Sequence, residues 1–179
     1  AEEVGRIIGA TIPFNAVPGS EDMVGYANKV PNGIVVAITP FNDPLNLVRH
    51  KLGPAIAAGN PVILKPSDDT PVVAIKFGEI LFDSGLLKEM LSIITGSPEY
   101  FGDALIRDDW IRLISFTGGL EAAKAIQRKA ELKKLVMELG SNSLVIVLSD
   151  ADLEEAVQYC VSAAFYASGQ NCVGVKRIL

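Results

Sequence analysis

Short apolar stretches rich in valine and isoleucine alternate along this chain with segments of helical periodicity, and that alternation constrains the fold most. The extended stretches fall at residues 33–38, 61–64, 91–94, 111–115, 134–137 and 144–148. Helical patterns lie between the first five, at 45–58, 72–84, 99–107 and 120–130. Ile34-Val35-Val36-Ala37-Ile38 is apolar on both faces, as a strand buried inside a parallel sheet should be. Pro71 suits the first turn of the second helix and Gly85 its end. The order reads βαβαβαβαβ, an α/β fold with an open doubly wound parallel sheet. Such sheets bind ligands outside the carboxyl ends of their strands.

Two segments flank the sheet unit. Before it, Arg6-Ile7-Ile8-Gly9 and Met23-Val24-Gly25-Tyr26 surround a stretch rich in Pro, Gly, Asn and Ser. Two extended strands joined by a loop are expected there, either as a projecting arm or as a ribbon capping the sheet. After it, residues 152–168 read as a long helix with Asp150 or Asp152 as its cap. The expected organisation is a β-ribbon arm at 1–31, the sheet unit at 32–137, and the incomplete start of a second α/β domain at 138–179.

Composition narrows the chemistry. The net charge is −5 with no long basic cluster, which speaks against nucleic acid or anionic lipid as the main partner. No apolar run approaches the ~18 residues of a membrane span, and the cytoplasm is the expected compartment. The two cysteines, Cys160 and Cys172, lack zinc-ligand spacing, so no metal site is expected. Cys160 falls in an apolar helical pattern and reads as core. The single histidine, His50, lies in a helical segment and reads as structural. A histidine-based triad is thereby nearly excluded, and a general base should be a carboxylate.

Five short motifs join turn-prone backbone to residues able to do chemistry. Ser168-Gly169-Gln170-Asn171-Cys172 places a thiol on a glycine-marked turn, which gives a nucleophile access and backbone freedom. Thr39-Pro40-Phe41-Asn42 follows the first sheet strand and presents an amide at the carboxyl edge, although Asn42-Asp43-Pro44 is also an ordinary local turn. Met137-Glu138-Leu139-Gly140 ends a strand with a carboxylate among apolar neighbours, a setting that raises a pKa toward that of a general base. Lys65-Pro66-Ser67, with Asp68 next, ends the second strand and is by itself a commonplace surface turn. Phe116-Thr117-Gly118-Gly119 opens a helix whose backbone N–H groups and dipole suit a pyrophosphate.

In this order the five motifs resemble the aldehyde dehydrogenase superfamily, from about Val4 to the last residue. The resemblance implies a Rossmann-like sheet that binds NAD, with NADP possible, and NAD(P)-dependent oxidation of a small aldehyde to a carboxylic acid. It implies Cys172 as nucleophile, passing through a thiohemiacetal and a thioester. Asn42 and the Cys172 N–H would form the oxyanion hole, and Glu138 would activate the water that hydrolyses the thioester. It places the cofactor against Thr39, Pro40, Phe41, Lys65, Ser67, Asp68, Phe116, Thr117, Gly118, Gly119, Glu138, Leu139 and Gly140, with Lys65 at the adenosine ribose. The usual pattern has glutamate at Asp68, serine at Gly119 and glycine at Ala123. The arm implies a homodimer or homotetramer. Members are more than twice this length, so a truncated, non-catalytic cofactor-binding piece is the alternative. A coenzyme A-acylating relative is a further one, against which the retained Glu138 speaks.

Overall fold

The computed structural model describes residues 2–179; Ala1, first residue of the expected arm, lies outside them. An amino-terminal 3-10 turn, Glu2–Arg6, leads into a two-stranded ribbon of β1 (Gly9–Ile12) and β2 (Gly25–Asn28). The sheet unit follows: β3 (Ile34–Ile38), α1 (Pro44–Ala57), β4 (Val62–Lys65), α2 (Pro71–Asp83), β5 (Leu91–Ile93), α3 (Pro98–Arg107), β6 (Ile111–Thr117), α4 (Leu120–Lys129) and β7 (Lys134–Glu138). Then come β8 (Leu144–Val145), α5 (Leu153–Phe165) and β9 (Arg177–Ile178).

The five central strands are all parallel, in the order β5-β4-β3-β6-β7. The chain moves outward from β3 to β5, then crosses back to lay β6 and β7 on the other side. The order therefore reverses between β3 and β6, which defines the switch point of an open α/β sheet. Burial on both faces follows the residue pattern. Val36 and Ala37 are neighbours in sequence, point to opposite faces and are both 0% exposed. Ala37 joins Val35, Val48, Leu52, Leu64 and Ala74 beneath α1 and α2. Val36 joins Ile106, Ile114, Phe116 and Ile126 beneath α3 and α4.

Prolines open α1, α2 and α3, where a missing N–H costs no intrahelical bond. The buried Asn60 ties α1 to β3. Its Oδ1 accepts from the N–H groups of Asn32 (2.6 Å) and Gly33 (3.2 Å), and its Nδ2 donates to the Ala55 carbonyl. Gly85, at φ +94°, ends the second helix in a conformation that glycine adopts freely.

Three expectations shift. The ribbon strands begin at Gly9 and Gly25 and pair antiparallel, Gly9 with Asn28 and Ile12 with Gly25, so most of Arg6–Gly9 lies outside the ladder. Packing explains the register: a Cβ at Gly25 would lie 2.2 Å from the Phe14 ring, so only glycine lets that ring lie against the strand. The strand expected at 144–148 is reduced to Leu144–Val145, whose one partner among the described residues is β9; Ile146 and Leu148 are exposed. The last helix stops at Phe165 rather than reaching 168. Ala167, Ser168 and Gly169 are left-handed in succession (φ 51°, 58° and 75°), which no α-helix accommodates. At its start Asp152 is the cap, accepting from the Glu154 and Glu155 N–H groups.

Candidate active site

The left-handed run turns the chain back beside α5. Lys176 Nζ donates to the Gly169 carbonyl, and the Val173 N–H donates to Asn171 Oδ1. A side chain at the buried Gly174 would press within 3.1 Å of the Ala163 carbonyl and 3.2 Å of the Asn171 carbonyl, so glycine lets this turn lie flat on the helix. Cys172 is thereby exposed, whereas Cys160 is buried within α5, as its apolar setting implied.

A cleft of about 1010 Å³ opens on the α1 side of the sheet, toward its carboxyl edge. Ser115 and Thr117 of β6 and Val136 and Glu138 of β7 line it, paired rung by rung, Ser115 with Val136 and Thr117 with Glu138. Asn42, Asn46, His50 and Lys51 line it from α1 and the turn before that helix, and Asn171 and Cys172 from the turn after α5. The thiol, the amide and the carboxylate expected from sequence thus share one cleft, although they come from three distant segments. Two details differ from expectation. Glu138 is exposed at the cleft rather than enclosed. Asn42 Nδ2 donates to the Gln170 carbonyl at 2.9 Å, which ties the turn after β3 to the cysteine turn.

Sequence reasoning passed over Lys51. It lies on the inner stripe of α1 with Val48 and Leu52, half-buried, and its Nζ donates to Ser115 Oγ at 2.9 Å. Burial lowers its pKa to about 8, opposed by the attraction of the Glu138 carboxylate. The signal was present: a lone charge on the apolar stripe of an otherwise well-patterned helix. His50, beside it, is exposed and lines the same cleft.

On the other face, between α3 and α4, lies an apolar slot of about 290 Å³. Ile38, Thr39, Lys65, Pro66 and Phe116 line it at the strand ends, and Phe101, Leu105 and Ile126 from the helices. An ion pair between Asp103 and Lys129 (2.5 Å) spans the two helices beside it and holds the Asp103 carboxyl below the usual range. Lys65 Nζ is 2.6 Å from Asp68 Oδ1. The Thr39 hydroxyl, 4% exposed as a residue, has no hydrogen-bond partner among the described residues. An orphaned buried hydroxyl is costly unless something else satisfies it.

The remaining expected residues lie around these hollows. Pro40 and the exposed Phe41 lead from Thr39 to Asn42, and Ser67 accepts from the Asp69 N–H. The Gly118 N–H donates to the Glu138 carbonyl. Gly119 precedes α4 with open space around it, Leu139 packs on the core beneath α4, and Gly140 is exposed. Among the described residues, no three or more His, Cys, Asp or Glu side chains cluster as metal ligands, and no helix is long and apolar enough to cross a membrane.

The fold is an open parallel sheet whose strand order reverses between β3 and β6, the α/β class that binds ligands at that carboxyl edge. The whole chain, residues 1–179, matches the aldehyde dehydrogenase family, and it belongs to that family. It is 51% identical over 179 residues to aspartate-semialdehyde dehydrogenase 1 of Pseudomonas canavaninivorans, covering 100% of this chain and 38% of that one. It is 46% identical over 178 residues to 3-sulfolactaldehyde dehydrogenase of Priestia megaterium, covering 99% and 37%. The crystal structure of NADP-dependent glyceraldehyde-3-phosphate dehydrogenase from Bacillus halodurans, complexed with NADP, superposes with a TM-score of 0.90 at 36% identity, covering 99% of this chain and 37% of that one. The chain thus spans a little over a third of the length of these relatives.

Proposed function

We propose that this chain is the cofactor-binding and nucleophile-bearing part of an NAD(P)-dependent aldehyde dehydrogenase that yields a carboxylic acid. The observation that carries the reading is the convergence of Cys172, Asn42 and Glu138 on one cleft beside the switch point.

The dinucleotide fits the residues present. The apolar slot suits a flat ring system, and the Thr39 hydroxyl is a buried polar group in want of a partner. Lys65, with Ser67 and Asp68, stands at the strand end where a ribose would lie. Thr39, Pro40 and Phe41 lead from there toward the cleft, which Thr117 and Glu138 line, while Phe116 lines the slot; the dinucleotide is read as passing Gly118, Gly119, Leu139 and Gly140 as well. When bound, the nicotinamide supplies the hydride acceptor.

The chain's own residues do the rest. The Cys172 thiolate attacks the aldehyde carbonyl and forms a thiohemiacetal. Asn42 has a second amide N–H besides the one given to Gln170, and with the Cys172 N–H it stabilises the oxyanion. Removing one such donor typically costs about 2.7–4 kcal/mol in the transition state. After oxidation the acyl group remains on sulfur as a thioester. Glu138, exposed to water in the same cleft, takes a proton from the water that attacks it, and the Lys51 ammonium and the Glu138 carboxylate attract one another across the cleft. Water as acyl acceptor distinguishes this reading from coenzyme A acylation.

The similarity to enzymes named for aspartate semialdehyde and 3-sulfolactaldehyde supports a small polar aldehyde as substrate. The β1–β2 ribbon, exposed along most of its length, is read as the arm that pairs subunits in a homodimer or homotetramer. We read 1–31 as that arm, 32–137 as the dinucleotide domain and 138–179 as the start of the catalytic domain, in a cytoplasmic enzyme. The test is aldehyde-dependent reduction of NAD and NADP by the full-length protein across short polar aldehydes. Reduction by Cys172→Ser at the unaltered rate would remove the central claim.

A further inference from the structure

The lysine that lines the cleft together with Cys172 is held by a side chain outside the five motifs. Ser115 sits in the middle of β6 with its hydroxyl on the α1 face, where its register partners are Ala37 on β3 and Val136 on β7. Neither offers a polar side chain, so this rung of the sheet face carries one hydroxyl between two apolar residues. Lys51 reaches down from α1 to it, Nζ to Oγ 2.9 Å, and among the described residues that hydroxyl is the group Lys51 Nζ bonds. Two residues toward the carboxyl edge, about 7 Å along the strand at ~3.3 Å per residue, stands the Thr117–Glu138 pair. Ser115 therefore anchors the lysine nitrogen below the carboxylate, facing the same cleft as Cys172.

We propose that Ser115 is a positioning residue: its hydroxyl fixes Lys51 Nζ within reach of the Glu138 field and sets the pH at which Lys51 changes charge. This rests on the dehydrogenase reading for its role in turnover, but not for the contact itself. A hydroxyl suits the task because it works in both states. It accepts from the ammonium and donates to the neutral amine, so the nitrogen keeps its place in either charge state. Its bond to the ammonium favours the charged form, against the burial that disfavours it. The other charged or titratable groups facing this cleft are Glu3 from the amino-terminal turn, Asp43, Arg49 and His50 from α1 and its cap, Glu138 from β7 and Cys172 from the turn after α5.

The experiment uses the full-length protein and two readouts. Acetylation of Lys51 by acetic anhydride, followed by mass spectrometry across pH without aldehyde or cofactor, gives the midpoint at which the amine becomes reactive. Steady-state aldehyde oxidation gives the pH profile of turnover. Ser115→Ala should move the labelling midpoint down by about one pH unit, a tenfold loss of proton affinity, and move the corresponding limb of the turnover profile with it. Ser115→Thr, which keeps the hydroxyl, should restore both. An unchanged labelling midpoint in Ser115→Ala overturns the proposal, as does a shift in Ser115→Thr equal to that in Ser115→Ala. Because labelling needs no turnover, a protein that oxidises no aldehyde would defeat the enzymatic reading while the Lys51 midpoint still judges this one.

Discussion

Lys65 and Asp68 form an ion pair at the end of β4, Nζ to Oδ1 2.6 Å, with the lysine side chain only 9% exposed and the aspartate 48%. The lysine at the expected ribose position already has an anionic partner, and a 2′-phosphate would have to compete with it. We therefore expect NAD to be preferred over NADP. The preference should be moderate, because Lys65 can turn toward a phosphate. Tenfold discrimination in kcat/KM would correspond to about 1.4 kcal/mol. Asp68→Asn should narrow the ratio by raising the NADP value several-fold. Equal use of both cofactors before the substitution, or no change after it, would show that Asp68 does not govern the choice.

Cys172 and Glu138 should act in successive half-reactions. Cys172→Ser should abolish dehydrogenase activity, because a serine hydroxyl is far less ionised than a thiol at neutral pH. Glu138→Gln should leave a rapid burst of one reduced cofactor per site and slow the later turnovers, as the acyl-enzyme waits for water. Rapid-mixing absorbance at the reduced-nicotinamide band separates the two phases. Unchanged steady-state rates in Glu138→Gln would end the deacylation assignment.

Lys51 makes stability depend on pH in a definite direction. Its folded-state pKa is about 8, against 10.5 for an ordinary lysine, with burial as the main cause. Between those values the unfolded chain binds more protons than the folded one, so stability rises as pH climbs through that window. Below pH 8 the folded protein carries the full cost of a desolvated ammonium. Lys51→Met should therefore be more stable than the parent at neutral pH, and the gap should close between about pH 8 and 10.5. Thermal melts of both proteins at several pH values check it; a gap independent of pH would contradict the assignment.

The architecture was legible wherever burial imposes a pattern. Ile34–Ile38 is apolar and buried on both faces and reads as an inner strand, and Pro71 marks the start of the second helix. Legibility failed where distant contacts decide. The ribbon register depends on Phe14 lying against Gly25, a contact that no local pattern reveals. The end of α5 depends on Ala167 and Ser168 taking positive φ, which their identities do not suggest. The site followed the same division. Asn42 and Cys172 lie on turns and Glu138 ends β7, places whose local composition advertises them. Lys51 lies inside a helix, and its meaning comes from Ser115, which is 64 positions away in sequence.

These 179 residues alone should form the sheet but not a working enzyme. The sheet unit has a core on both of its faces, under α1 and α2 and under α3 and α4. Residues beyond Glu138 differ: Ile146, Leu148, Val157, Val161 and Phe165 are all more than half exposed. Val157, Val161 and Phe165 recur every four residues along one face of α5, and exposed apolar surface of that kind favours association. The ribbon adds Ile12 and Tyr26, also exposed, at the other end of the chain. Expressed as this segment, the protein should sediment as oligomers or larger species and show no aldehyde-dependent reduction of NAD, while the far-ultraviolet circular dichroism of the α/β unit persists. Analytical ultracentrifugation beside an NADH assay reads both. A soluble monomer with ordinary turnover would mean that the cleft around Cys172 is complete without further chain.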